Sequence, residues 1–427
     1  GLGLSTFDRA VRREMKKILP EALLTPVPAN HPVYSSVFPV DSVEYTPAVS
    51  AQTEIAREKR LSVAVVEFDP GLPEAEETAE EKLGVPPEVR KAESRFIAFH
   101  LKETLEQTGQ WGPVRVLPAE RLGAELTVTG EILHSDGEDL EVELRVRDAT
   151  GQEWLHNKYK ARADSGTYSD GEVMGRDPFQ NLYNQVANDL LAARSRIDEG
   201  QLRQVREVAG LRFAQDLAPA VFEGYLEQGR NGDFRVVRLP AEGDPMMARM
   251  EAVRNRDLLF VDTLNEYYAS FYREMEAPYD SWRKYSYDEA LALRELKAAA
   301  RWRKLIGAAA VVGSVMMESD SRTADVAGDV MLIGGIELFR QGIQVGKEAK
   351  MQAEVLAELG TSFGQEIQPA VVEVAGETRR LEGSAATQYA EWRKLLREIY
   401  ETETGLPAAP VGSDVIELAD HESHPAE

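Results

Sequence analysis

The residue types that most often carry out chemistry meet at one turn of the sequence. His134 is followed by Asp136, Glu138 and Asp139, and an imidazole with three carboxylates could bind a divalent cation. The same turn contains Asp136-Gly137, a pair that tight hairpin turns require for backbone reasons alone. The spacing also lacks the alternating ligands of a calcium-binding loop. We therefore interpret this segment as a solvated hairpin tip that holds no metal.

The rest of the chain offers no catalytic constellation. It has six histidines and no cysteine, which excludes thiol nucleophiles, zinc–thiolate sites and iron–sulfur clusters. It contains no HExxH motif, no P-loop, no GxSxG motif and no GxGxxG turn between a strand and a helix. Alternating carboxylates such as Glu141 and Glu143 belong on the wet face of a sheet. The sequence therefore predicts a protein that is not an enzyme, with no catalytic or cofactor-binding residues, no cofactor and no metal.

A glycine-rich apolar stretch is the sequence feature that most needs a structural explanation. Residues 305–317 are uncharged, but at ~1.5 Å per residue they cover about 20 Å, which is short of the ~30 Å core of a membrane. Glycine costs a helix interior about 1 kcal/mol relative to alanine, and close helix–helix approach is the usual reason to keep it. We expect a buried helical hairpin, with a packing or oligomer interface that includes Gly307, Gly313, Gly334, Gly335, Gly342 and Gly346.

The net charge of the chain limits the classes of molecule that it could bind. The chain has 427 residues, with 49 basic and 73 acidic side chains and a formal net charge of −24. Nucleic-acid binders normally carry a basic surface, and docking on anionic lipid also needs positive charge. The hydrophobic fraction of 43% is sufficient for packed cores. We therefore expect a folded protein that binds other proteins and no nucleic acid.

Hydrophobic periodicity predicts the fold class. Residues 126–132 and 140–147 alternate between apolar and polar side chains around the Asp136-Gly137 turn, and residues 152–160 continue the pattern. Strict alternation is typical of antiparallel strands with one solvated face. Residues 61–68 and 114–117 read as further strands, and a helix is expected over 92–108. The prediction is an α+β fold, in which a mixed sheet with an antiparallel meander and flanking helices is followed by a long, mainly helical domain.

Breaks in these patterns divide the chain into five predicted regions. Beyond the sheet, helix breaks are expected at Gly200, Pro219, residues 229–245, Pro278 and residues 318–323. The proline-rich arm either wraps its own domain or docks on a partner. The regions are an N-terminal helix with that arm (1–60), an α/β domain (61–199), a helical domain with the glycine-rich hairpin (200–364), a β-hairpin plus helix (365–405) and an acidic disordered tail (406–427).

Residues 61–191 also carry a family resemblance. The segments SVAVVEF, LKETLEQTG, LTVTGEI and VELRVRDATGQEWLHNKY resemble the α/β domain shared by three bacterial envelope proteins. These are the Tol–Pal translocation protein (its N-terminal domain), the curli secretion lipoprotein and the lipoprotein activators of penicillin-binding proteins. That group shows a strand ending in Phe, a strand with a Gly, and Asp-x-x-Gly followed by an aromatic residue. Phe68, Gly130, Asp148, Gly151 and Trp154 occupy these places.

The resemblance implies a non-catalytic domain that works by protein–protein contact in the bacterial envelope. We expect a processed lipoprotein or periplasmic protein, located in the periplasm or at the outer membrane, that serves as an assembly, scaffold or secretion-associated factor. Its partners would be envelope proteins or further copies of itself. Membrane contact would come through a lipid anchor lying before Gly1. Two alternatives stay open: a pore-forming or membrane-associated oligomer that uses the glycine-rich hairpin, and a hydrolase with an unrecognised carboxylate site.

Overall fold

A five-stranded sheet organises the described part of the chain. The computed structural model describes residues 45–73, 85–163, 168, 176–314, 351–365, 367–374 and 377–408, with only the backbone described for 289–314. All of these residues belong to the compact unit Tyr45–Glu427, whereas the other unit, Gly1–Glu44, lies outside them. Four of the six glycines of the predicted interface (Gly334, Gly335, Gly342 and Gly346) also lie outside the described residues.

The sheet is mixed, as the hydrophobic pattern predicts. Its spatial order is β2-β1-β3-β4-β5, with β1 parallel to β2 and β3 and the remaining neighbours antiparallel. The strands of the antiparallel meander are longer than the sequence alternation predicts. The backbone pairing between neighbouring strands continues up to the hairpin turns that join them. The strands are β1 (Val63–Val66), β2 (Val114–Leu117), β3 (Leu126–Ser135), β4 (Asp139–Asp148) and β5 (Glu153–Arg162).

Helices surround this sheet and continue beyond it, which confirms the α+β class. Two small hairpins accompany them: β6 (Leu226–Gln228) with β7 (Phe234–Val236), and β8 (Ala370–Val374) with β9 (Glu377–Leu381). The helices are α1 (Pro87–Gln107), α2 (Gln180–Arg194), α3 (Glu199–Leu217), α4 (Pro219–Phe222), α5 (Pro245–Ser314), α6 (residues 351–365) and α7 (Ala385–Thr404).

The core face of β4 follows the predicted register. Leu140, Val142, Leu144 and Val146 are all buried, because every second side chain of a strand points to the same face. On the opposite face, Glu143 forms ion pairs with neighbouring β5 side chains. The antiparallel meander therefore has one apolar and one solvated face, as predicted.

Two residues of the resemblance motif have structural roles in this sheet. Gly130 leaves room for the Phe68 ring, since a Cβ at position 130 would lie 2.6 Å from a ring carbon. The Asp148 carboxylate accepts hydrogen bonds from the Thr150 amide at 2.8 Å and the Trp154 indole at 2.8 Å. Both residues are thus explained by packing and turn geometry.

We expect Gly130→Ala to destabilise the fold by about 1–3 kcal/mol, because the added methyl group overpacks the core against Phe68. Gly210→Ala in α3 is the matched control, since its Cβ would meet its nearest neighbour, Arg254, at an ordinary 3.8 Å. The control should be neutral or slightly stabilising. Urea denaturation of both variants measures the difference, and equal losses would contradict the packing role of Gly130.

Several predicted element boundaries are wrong. Helix α1 begins at Pro87, five residues before the predicted Ala92, because proline fits the first turn of a helix. Gly200 does not interrupt a helix. It lies in the first turn of α3, whose N-terminus is capped by a capping box of Asp198 and Gln201. Pro278 also lies inside α5 without ending it. Its neighbour Tyr279 is buried, and packing of this kind offsets the cost of the proline.

The proline-rich arm reaches the described residues only at its end. Residues 45–50 form neither helix nor strand, and their backbone is held by asparagine side chains of α2. The Thr46 amide donates to Asn181 Oδ1 at 3.0 Å, and the Val49 amide donates to Asn188 Oδ1 at 2.8 Å. This end of the arm therefore lies on its own domain.

Candidate functional site

The long helix α5 closes one edge of the sheet. Asn265 on α5 pairs with β2 as a neighbouring strand would: its Oδ1 accepts from the Val116 amide at 2.8 Å, and its Nδ2 donates to the Val116 carbonyl at 3.0 Å. One turn away, Arg115 of β2 pairs with Asp262 of α5 at 2.5 Å. An open strand edge invites pairing with other chains, so this contact both protects β2 and fixes the helix. We call the whole contact of α5 with the sheet and α1 the joint.

A buried arginine lies at the centre of the joint. The Arg283 side chain is 1% exposed, and its Nη1 lies 2.7 Å from Oδ2 of Asp177. Its guanidinium also stacks over the Tyr279 ring at 4.1 Å and pairs with the more exposed Asp280. Burial opposes ionisation of Asp177, but the charge of Arg283 lowers the pKa of that carboxyl overall. The pair is therefore ionised at neutral pH and links α5 to the segment before α2.

A second carboxylate is buried nearby on α1. Glu93 is fully buried, and its Oε1 accepts from Ser135 Oγ at 2.5 Å and from the Tyr279 hydroxyl at 2.5 Å. Its other oxygen lies 3.5 Å from Arg90 Nε, and Arg90 itself donates to the Ser135 carbonyl. A buried carboxylate needs such partners to remain in place. Glu93 thus ties together α1, β3 and α5.

His100 of α1 lies in this region, and both of its ring nitrogens are engaged in hydrogen bonds. Nε2 lies 2.8 Å from Oε1 of Gln180, and Nδ1 lies 2.6 Å from the Tyr272 hydroxyl. The Gln180 oxygen can only accept, so Nε2 donates and Nδ1 accepts from Tyr272. Burial raises the pKa of Tyr272, which keeps its hydroxyl protonated as that donor. The arrangement positions α1 against α2 and α5, and it leaves no ring nitrogen for a substrate.

A second buried ion cluster fastens the C-terminal helix to α5. Asp257 of α5 is fully buried, lies 2.6 Å from Arg121, and accepts from the Trp392 indole at 3.0 Å. On α7, Arg393 pairs with Asp216 of α3. Cations and carboxylates alternate through the cluster, so each charge has a neighbour of opposite sign. This cluster joins α3, α5 and α7.

Of the six glycines of the predicted interface, two lie in the described part of the chain. Gly307 and Gly313 lie in the last turns of α5, and the other four glycines fall outside the described residues. Of the segments that the structure describes, no helix is long and apolar enough to cross a membrane. Within the same residues, no group of three or more histidine and carboxylate side chains could hold a metal ion.

The His134 turn is less solvated than the sequence indicates. Gly137 packs against α5, where an added Cβ would lie 2.5 Å from the Arg283 carbonyl oxygen. His134 Nε2 lies 3.0 Å from Oδ2 of Asp136. This hydrogen bond raises the pKa of His134; burial works against ionisation of Asp136, but the same bond lowers its pKa overall. The turn therefore docks on the long helix, which corrects the interpretation as a solvated tip.

We expect His134→Gln to lose about 0.2–1 kcal/mol of stability near pH 5.5 and almost none near pH 9. The raised pKa of His134 makes its contribution complete below the unfolded value of 6.5 and removes it as pH rises through the folded value. The lowered pKa of Asp136 removes the pair's contribution as pH falls below about 4. Urea denaturation at both pH values tests this, and an equal loss at each would contradict it.

The sequence patterns do not predict the residues of the joint, because each residue has an ordinary interpretation from its neighbours in the chain. Asp177 before Pro178 reads as a helix cap, although its backbone role is a turn in which its carboxylate accepts from the Phe179 amide at 2.8 Å. Arg283 reads as a surface cation. One available signal is its spacing, since it continues the apolar positions Met275 and Tyr279 at four-residue intervals. A charged residue on the apolar stripe of a helix indicates a buried partner.

Comparison with known proteins adds a family match at the N-terminal end. The model of a domain of unknown function (DUF4159) matches residues 3–95, which is less than a quarter of the chain. Among the described elements it covers β1 and the first part of α1, and it stops before the meander. No curated protein and no solved structure matches the chain.

Proposed function

We propose that this chain is a non-catalytic protein of the bacterial envelope that acts as an assembly, scaffold or secretion-associated factor through protein–protein contacts. It is a processed lipoprotein or a periplasmic protein in this proposal, located in the periplasm or at the outer membrane. The α/β domain would serve as the rigid base, and the long helix as the element that it holds in a fixed direction.

The joint is the observation that carries this proposal. Helix α5 has 70 residues, which corresponds to a length of about 105 Å. Its N-terminal part, up to Arg283, is held on the sheet and on the segment before α2 by Asn265, Arg283 and the buried aromatic residues around them. Buried ion pairs favour one arrangement of the elements that they join more than they add stability. A long helix held in one orientation suits a protein that spaces or orders others.

The polar side chains of the joint also favour binding over catalysis. The buried carboxylates Glu93, Asp177 and Asp257 each have cationic or hydroxyl partners within the protein. A general acid or base needs access to a substrate proton, whereas these groups face neighbouring helices. Their geometry supports a structural role, in line with the envelope domains that residues 61–191 resemble.

Photo-crosslinking in the bacterium that encodes the chain tests this function. A crosslinking amino acid at Leu259, which is 67% exposed on α5, should give adducts of discrete mass in the envelope fraction. The same amino acid at Arg147, an exposed position on the sheet, serves as the matched control for random collision. Fractionation of the chain with the cytosol, or identical adducts from both positions, would contradict the proposal.

A further inference from the structure

A deep cleft opens beside the joint, at the end of the sheet where β1 and β2 begin. Its volume is about 990 Å³, and it lies between the loop 118–125, the segment 57–62 and the α5 residues 251–258. Pockets of this size accept ligands as large as a nucleotide. Six arginines line it, against three glutamates: Arg57, Arg60, Arg115, Arg121, Arg206 and Arg254, and Glu58, Glu125 and Glu251.

The inner wall of the cleft carries hydrogen-bond donors without acceptors. Trp111 is 4% exposed, and its indole Nε1 is buried with no partner. The Nε atoms of Arg60, Arg121 and Arg254 are also buried without a hydrogen-bond partner, although the Arg121 guanidinium pairs through Nη2 with Asp257 at 2.6 Å. A buried donor without a partner costs roughly 1–3 kcal/mol. Arginine Nε atoms in this condition also occur away from the cleft, at Arg90, Arg145, Arg283 and Arg397. The cleft differs in its buried Trp111 indole, and in Arg60 and Arg254, which have no carboxylate partner among the described residues. Among the described cleft residues, every unpartnered buried polar atom is a donor.

The positive charge of this wall is only partly neutralised within the protein. Arg254 donates to the Gly123 carbonyl at 2.9 Å, but no carboxylate of the described residues forms an ion pair with it. Burial, and then the nearby charge of Arg121, lower the pKa of Arg254. Asp257 neutralises Arg121 at 2.6 Å, so of these two guanidinium groups the one that still lacks an anion among the described residues is that of Arg254.

The glutamates of the cleft do not supply that anion. Glu125 is already engaged, because its Oε2 accepts from the Ser62 amide and hydroxyl, and its Oε1 lies 3.5 Å from Arg206. Glu58 and Glu251 are exposed, where water and salt screen their charge. The buried part of the cleft therefore keeps an excess of positive charge in a chain of net charge −24.

The cleft is also built to keep its shape. Arg206 of α3 donates to the Arg60 carbonyl at 2.9 Å and to the carbonyls of residues 57 and 58, which fastens the segment 57–60 over the opening. Preformed walls lower the ordering cost of binding. The backbone that carries Arg60 is thus held in place before a ligand arrives.

We propose that this cleft binds a small soluble molecule bearing a phosphate or diphosphate group, with Arg60, Arg121, Arg254 and Trp111 as the donors. Guanidinium groups match phosphate oxygens in charge and in fork geometry. A phosphate dianion supplies several acceptor oxygens, which is what clustered unpartnered donors lack. This site is independent of the protein–protein contacts proposed above.

Titration calorimetry with inorganic pyrophosphate tests the proposal. The wild-type chain should bind it with a Kd tighter than about 1 mM, and Arg60→Gln should weaken binding at least tenfold. The Arg60 side chain has no hydrogen-bond or ion-pair partner among the described residues, so this variant should melt at the wild-type temperature. Trp111→Phe removes the indole N–H while keeping an aromatic ring, and it should also weaken binding without lowering the melting temperature.

Arg147→Gln is the matched control, because it removes the same charge from an exposed sheet position and should change the Kd by less than about twofold. A second arm uses vesicles that contain phosphatidylglycerol, to separate a free phosphate from a lipid headgroup. No binding of pyrophosphate by the wild type, equal weakening by Arg60→Gln and Arg147→Gln, or binding to vesicles alone would each overturn the proposal.

Discussion

Replacing Asp177 by alanine is expected to lower the free energy of unfolding by about 3–5 kcal/mol. The change leaves the Arg283 guanidinium buried among aromatic rings without its closest carboxylate, and breaking a buried ion pair from one side carries a cost of this size. Asp280→Ala is the matched control, since Asp280 also pairs with Arg283 but is 56% exposed. We expect the control to lose less than about 1 kcal/mol.

The loss at Asp177 should depend on pH in a defined direction. The pKa of Asp177 is lowered in the folded state, so its contribution is present above the unfolded value of about 3.9 and is lost as pH falls through the folded value. The difference between wild type and Asp177→Ala should therefore be constant near neutral pH and shrink in strong acid. Urea denaturation across this range measures it, and equal losses for Asp177→Ala and Asp280→Ala would contradict the role of the pair.

Leu144→Asp should abolish soluble expression of the chain. Leu144 is 1% exposed on the core face of β4, and an aspartate there would bury a carboxylate among apolar side chains at a cost of several kcal/mol. That cost is comparable to the total stability of a typical domain, about 5–15 kcal/mol.

The neighbouring position provides the control for Leu144→Asp. Glu143 lies on the solvated face, where it pairs with His156 at 2.7 Å and with Lys158 at 3.2 Å. Glu143→Gln should give soluble protein with a melting temperature close to that of the wild type, because exposed pairs contribute little. Soluble, folded protein from both variants would show that the register of β4 is wrong.

The sheet could be predicted from the sequence because its information is local. Alternation over residues 140–147 and the Asp136-Gly137 turn together specify strand, face and hairpin. The same is true of the cap at Ser384, whose side chain accepts from the Thr387 amide at 3.1 Å, because serine is one of the residue types preferred at a helix N-cap. These features depend on residues a few positions apart.

The joint and the cleft could not be predicted, because their partners are distant in the chain. Asp177 and Arg283 are 106 positions apart, and Val116 and Asn265 are 149 apart. The spacing of Arg283 after Met275 and Tyr279 indicates that this arginine is buried, but nothing local identifies Asp177 as its partner. Pro278 shows the opposite error, since its local preference for ending a helix is overridden by the packing of the residues beside it.

The central claim is that the α/β domain holds the long helix in one fixed direction. Because the chain has no cysteine, spin labels can be placed at Leu259→Cys on α5 and Lys158→Cys on β5, both exposed positions. Pulsed electron–electron double resonance then measures the distance between the two spin labels. The account predicts one narrow distance distribution, which broadens when Asp177→Ala is added. A broad or two-peaked distribution in the otherwise unaltered chain would contradict it.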